Sequence, residues 1–241
     1  MIPRPEYPVI DELVQNPAVS PAEAVQNLLR AREVLQLGRQ ESESASDIDG
    51  NHTWYAMTEV VDTANITPAE LQDKLIDFIF ELHRTEVPYL SLYSTDCYHF
   101  NFKPEYARQI DEDPQKEYPP SDLQEWENRN AFMAHLTRRV EHLCHHLDAS
   151  LYAFYSCRSV EEAVRTACIW YIYAGQRVWE NCQVGRLFGD EDQTPRRDMH
   201  MDRWCLWKDR LKTAQREFPR ESTQEMIRKA LEEVEKAEHG K

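Results

Sequence analysis

Glycine is scarce in this chain, with 6 residues among 241 against 13 prolines. β-Sandwiches and barrels turn often and use glycine to do so, and that shortage weighs against both. Positive charge is also short: 28 Lys and Arg stand against 43 Asp and Glu, a formal net charge of −15. Binding phosphates takes a basic surface that releases counterions, so no nucleic-acid partner is expected. The acidity reads as a solubility feature. No segment approaches 18 consecutive apolar residues, and the opening "MIPRPEYPVI" has no hydrophobic stretch of signal-peptide length. The expectation is a cytoplasmic, reduced protein without membrane contact.

Chemical signatures are missing as well. Cys97, Cys144, Cys157, Cys168, Cys182 and Cys205 are scattered without a C-x-x-C. Most fall at apolar helical positions, where free cysteine behaves as a small hydrophobe. There is no Gly-rich phosphate loop, dinucleotide fingerprint or H-E-x-x-H. No cofactor is expected, and the sequence leaves the oligomeric state open.

Helix signals, by contrast, are plentiful. Ser20-Pro21 with Glu23, Thr67-Pro68 with Glu70, Ser121 with Gln124, Ser159 with Glu162 and Ser222 with Glu225 all fit the capping box. The spacing predicts helices over 21–37, 54–63, 68–86, 121–148, 160–183, 201–217 and 222–238, and a short one over 104–111. Gly38, Pro88 and Pro219 mark breaks between them. The fold class is all-α, a single helical domain of about seven or eight helices around a buried central helix, 160–183. Residues 1–53 are expected to hold an N-terminal helix and a mobile acidic loop, "ESESASDIDGN", and 54–241 the helical core.

The densest set of metal-ligand side chains is "EHLCHHLDA" at 141–149. On a helix spanning 121–148, Trp126, Met133, Leu136, Val140, Leu143, Cys144 and Leu147 form one apolar stripe. His135, His142, His145 and His146 fall roughly opposite it, among Arg138 and Arg139. His142 and His146 have ligand spacing, but no third ligand is fixed by the pattern. They read as a solvated face, with no metal expected.

The segment 159–182 differs in kind. Between Ala167 and Gly175 it is apolar all round, as in a helix surrounded by others. Its less apolar side carries Arg165, Ile169, Ile172, Tyr173, Gln176 and Glu180. Polar groups on a buried helix either pair internally, as Arg177 with Glu180, or line a pocket. On the pocket reading, Tyr173, Glu180 and the loop residue His99 are the catalytic candidates. Gln176, Arg177, Tyr98 and Trp204 are the substrate-binding candidates. Trp204, Trp207 and Leu211 also form a stripe that reads as core.

Three stretches carry a resemblance: "EWENRNAFMAHLTRR" (125–139), "ACIWYIYAGQRVWENC" (167–182) and "DRWCLWKDRL" (202–211), preceded by "LQDKLIDFIFELHR" (71–84). Together they resemble a fungal family known as domain of unknown function 3632. Trp126, Asn130, Ala131, Phe132, Ala134 and Leu136 match the family's tryptophan-containing run, whereas His135 stands where arginine is usual. The resemblance covers about residues 54–238. It implies a soluble fungal helical protein and brings no catalytic residues with it.

Two functions remain from different classes. One is a small-molecule-binding protein, whose enzymatic form would be a cofactor-independent cyclase or isomerase of fungal secondary metabolism. Such chemistry needs shape and a few acid, base or hydrogen-bonding groups, which leave no motif. The other is a non-catalytic acidic helical scaffold for protein interaction.

Overall fold

The computed structural model describes residues 6–37, 45–85, 120–139, 161–186 and 199–240. Those residues form eight α-helices and one 3₁₀ turn, with no strand among them. The all-α class holds. The chain divides into two compact units, Met1–Asn101 and Phe102–Lys241.

The first unit contains α1 (Glu6–Gln15), α2 (Pro21–Leu37), α3 (Ala45–Ile66), a 3₁₀ turn (Ala69–Leu71) and α4 (Asp73–Arg84). α1 packs chiefly on α3, and α2 on α4. Leu75, Ile76, Phe78, Ile79 and Leu82 recur at helical spacing on α4 and are all buried. Two side chains close the corners. The ammonium of Lys74 donates to the carbonyls of Leu13, Asn16 and Val19 at 3.2, 2.9 and 3.0 Å. The Gln72 amide, wholly buried, donates to Ala64 O at 3.0 Å and Thr67 O at 2.9 Å. Both supply donors to carbonyls at or just beyond helix ends, of which Asn16 O and Ala64 O also accept from the Val19 and Thr67 N–H groups.

Several boundaries differ from expectation. α1 occupies a proline-rich stretch, because Pro8 is its third residue and a first-turn N–H has no intrahelical acceptor to lose. α3 begins at Ala45, so the acidic stretch expected to be a loop enters a helix, and the expected 53/54 boundary falls inside it. Ser20 does cap α2, accepting from the Glu23 amide at 3.2 Å. Thr67 does not cap the next helix. Its hydroxyl donates back to Thr63 O at 2.7 Å, and a 3₁₀ turn precedes α4.

The second unit contains α5 (Pro120–Arg139), α6 (Glu161–Gln183), α7 (Met201–Glu217) and α8 (Glu221–His239). α6 packs against α5, α7 and α8. It ends in a Schellman turn: Arg186 N–H reaches Asn181 O at 3.0 Å, Gly185 N–H reaches Cys182 O at 3.3 Å, and Gly185 takes φ 62°. That left-handed conformation suits glycine because it has no Cβ. The tryptophan-containing run of α5 stitches it to α6. Trp126 Nε1 donates to Thr166 Oγ1 at 2.8 Å, and Trp170 Nε1 donates to Asn130 Oδ1 at 3.1 Å. Asn130 in turn donates to Trp126 O at 2.9 Å.

Formal charge is shared unequally. Residues 1–101 carry 17 acidic and 6 basic side chains, so this unit holds −11 of the −15.

Candidate functional site

The less apolar side of α6 carries Tyr173, Gln176, Arg177 and Glu180 within two turns. Gln176, which is exposed, donates through Nε2 to Glu180 Oε1 at 3.1 Å. Arg177 donates through Nη1 to Glu180 Oε2 at 2.9 Å. Residues three and four apart share a helix face, which puts both donors on one carboxylate. The pairing of Arg177 with Glu180 expected from the sequence is thus present.

Tyr173 lies one turn before this trio, against His135 of α5, with ring centroids 4.4 Å apart and planes tilted by 37°. His135 is only 4% exposed. This corrects its placement on a solvated face: Asn130 through Thr137 are all buried, so α5 is enclosed around its full circumference there. Single-helix geometry sees the strong apolar stripe and takes the remainder for solvent. Tyr98, His99, His142, His145 and His146 lie outside the described residues.

Trp204 is not part of this group. It packs beside Tyr171, edge-on at 5.6 Å, and beside Trp179 at 5.1 Å. At 100° per residue Tyr171 falls roughly 140–180° from Tyr173, Gln176 and Glu180, whereas Trp179 falls roughly 60–120° from them. Trp204 Nε1 donates to Glu238 Oε1 at 2.9 Å, and Lys208 Nζ meets the same oxygen at 2.6 Å. Burial alone would raise the Glu238 carboxyl, but the hydrogen bonds from Lys208 and Trp204 and the nearby charge hold it below the usual carboxylate range.

A second polar cluster joins three helices. Arg165 grips Glu127 with Nε on Oε1 at 2.5 Å and Nη2 on Oε2 at 2.9 Å. Its Nη1 donates to Ser222 Oγ and Thr223 Oγ1, each at 3.2 Å. Thr223 donates onward to Glu161 Oε1 at 2.6 Å, and Arg220 Nε stands 3.3 Å from that oxygen. Burial opposes the guanidinium charge, yet Glu127 outweighs it and raises Arg165 above its ordinary value. Ser222, expected to cap α8, sits one residue inside the helix and serves Arg165 instead. Nearby Cys168 is fully buried, and desolvation pushes its thiol well up, away from the reactive thiolate.

Two open depressions mark the second unit. One, of about 280 Å³, is lined by Asp122, Glu125, Trp126 and Arg129. The other, of about 580 Å³, lies at the α7–α8 turn beside Gln215, Glu221, Ser222, Gln224, Glu225 and Arg228. Neither is bordered by Tyr173, Gln176 or Glu180. Among the described residues, no three His, Cys, Asp or Glu side chains are grouped to hold a metal ion. No helix among them is long and apolar enough to cross a membrane.

Residues 54–211 match the model of a family described as a protein of unknown function, DUF3632. The chain belongs to this family. The DUF3632 match begins within α3 and ends within α7, at residue 211, so it takes in Trp126, Asn130, Arg165 and Trp204 but not Glu238. No curated protein and no solved structure matches the chain.

Proposed function

We propose that this chain is a non-catalytic, acidic helical protein that works through protein interaction. One observation carries the reading: Glu180, the candidate base, uses one carboxylate oxygen for Gln176 and the other for Arg177. These pairs lie along a single helix and leave Gln176 exposed, as on the outer side of a helix, with Arg177 Nε buried and without a hydrogen-bond partner. Trp204 is likewise engaged with Glu238 rather than offered to a ligand. The larger polar cluster around Arg165 holds α5, α6 and α8 together.

A small-molecule binder, or a cofactor-independent cyclase or isomerase, is the second reading. It draws on the contact of Tyr173 with the buried His135, an imidazole and a phenol suited to proton transfer. Native mass spectrometry of the chain isolated from the cells that make it separates the two. The interaction reading expects the mass of the bare chain or of the chain with another protein. A small molecule retained by the wild-type chain, and lost on both Tyr173→Phe and Glu180→Gln, would establish the binder instead.

A further inference from the structure

A hydroxyl directly before a proline is the acceptor that a proline-directed protein kinase reads, and the sequence holds three: Ser20-Pro21, Thr67-Pro68 and Thr194-Pro195. Thr194 lies outside the described residues. The structure separates the other two. Thr67 is only 4% exposed, and its hydroxyl donates to Thr63 O at 2.7 Å, so the oxygen is shut away and its proton engaged. Ser20 is exposed, as are Asn16, Pro17, Ala18, Ala22 and Glu23 on either side of it. Its Oγ accepts from the Glu23 amide at 3.2 Å, and no described group accepts its hydroxyl proton. Proline also holds the residue before it to extended backbone, the form in which a kinase cleft takes a peptide.

A cation stands beside Ser20. The Lys74 ammonium lies 3.0 Å from the carbonyl of Val19, the peptide group that carries the Ser20 nitrogen. Its hydrogen bonds go to the carbonyls of Leu13, Asn16 and Val19, and no described carboxylate pairs with its charge. A phosphate on Ser20 adds a charge of about −1.5 to −2 at pH 7. The −11 of the unit opposes any further anion, but that charge is spread over 17 acidic side chains. Salt screens such charges over about 8–10 Å, whereas Lys74 is one peptide group away. Glu23, the nearest acid along the chain, is exposed to the solvent that screens it.

We propose that Ser20 is a phosphorylation site for a proline-directed serine/threonine kinase, and that the Lys74 charge holds the phosphate and tightens the α1–α2 corner. Ser20 Oγ attacks the γ-phosphorus of ATP. The new O–P bond forms as the bond to the β-phosphate oxygen breaks, ADP leaves, and the hydroxyl proton goes to the base of the kinase. The inference is independent of the interaction reading and survives its failure.

The test treats the full chain, carrying Thr194→Ala to remove the third acceptor, with a cyclin-dependent kinase and Mg·ATP, and maps phosphate by peptide mass spectrometry. One phosphate should appear, on Ser20 and not on Thr67. In calorimetry the phosphorylated chain should melt about 2–4 °C above the untreated one, and the gain should shrink as salt rises. Ser20→Asn keeps a capping side chain without a hydroxyl, and treatment should give it neither phosphate nor added stability. Lys74→Gln keeps hydrogen-bond donors without the charge, and should take the phosphate but lose the gain. No phosphate on Ser20, or phosphate on Thr67 in its place, would overturn the site. A phosphorylated chain that melts no higher than the untreated one would overturn the tightening of the corner. So would a gain that Lys74→Gln retains in full, because the phosphate would then be held by something other than that charge.

Discussion

Arg165 and Glu127 meet across α5 and α6 as a two-point ion pair, with both carboxylate oxygens engaged and the side chains 17% and 16% exposed. Such a fork fixes the rotation of one helix against the other as well as their separation. Removing one partner leaves the other charge partly buried. Arg165→Met or Glu127→Leu should therefore cost roughly 2–3 kcal/mol, somewhat less than a fully buried pair. The double variant should recover much of this, and urea unfolding of the cycle should give a coupling of about 1–3 kcal/mol. Additive losses would mean the pair is incidental.

Glu238 provides a pH-dependent prediction. Its carboxyl is held below the ordinary value in the folded state, so its stabilising contribution is complete above the unfolded value near pH 4.5. It is lost as pH falls through the lower folded value. Glu238→Gln should lower the melting temperature at pH 7, and the gap from wild type should narrow on acidification below pH 4.5. Trp204→Ala should cost more, roughly 3–5 kcal/mol, because it also empties the space beside Tyr171 and Trp179. A gap between Glu238→Gln and wild type that stays constant down to pH 3 would contradict a stabilising role for the Glu238 carboxylate.

Gly175 invites the opposite kind of change. It lies inside α6, and among the described residues a Cβ there would meet Glu233 Cβ, at an ordinary 3.8 Å. Alanine removes the entropic penalty of glycine in a helix, so Gly175→Ala should raise unfolding stability by about 0.5–1 kcal/mol. A fall of that size in urea titration would show that α6 and α8 need closer approach than their present spacing.

The sequence marks helices well where the signal is local. α7 spans 201–217 as expected, and α2 begins at Pro21 behind a serine cap because the Ser20 hydroxyl meets the amide three residues on. It misleads where a distant group takes the same side chain. Ser222 fits a cap motif, but Arg165, 57 residues away, holds its hydroxyl. His135 is misplaced for a related reason: Tyr173 covers it from another helix, and no wheel drawn on α5 alone contains Tyr173. In the candidate site, the Arg177–Glu180 pair is legible because both ends lie on one helix. The Trp204–Glu238 bond is not, since its ends are 34 residues apart.

Lys74 reaches back 61, 58 and 55 residues to satisfy Leu13, Asn16 and Val19. Until that lysine arrives, the α1–α2 corner lacks three hydrogen bonds, although Asn16 O already accepts from the Val19 N–H at 3.2 Å. Synthesis of the 55–61 residues between, at roughly 5–20 residues per second, is far slower than forming the helices themselves. During synthesis from the N-terminus, the first two helices are thus obliged to wait for the fourth.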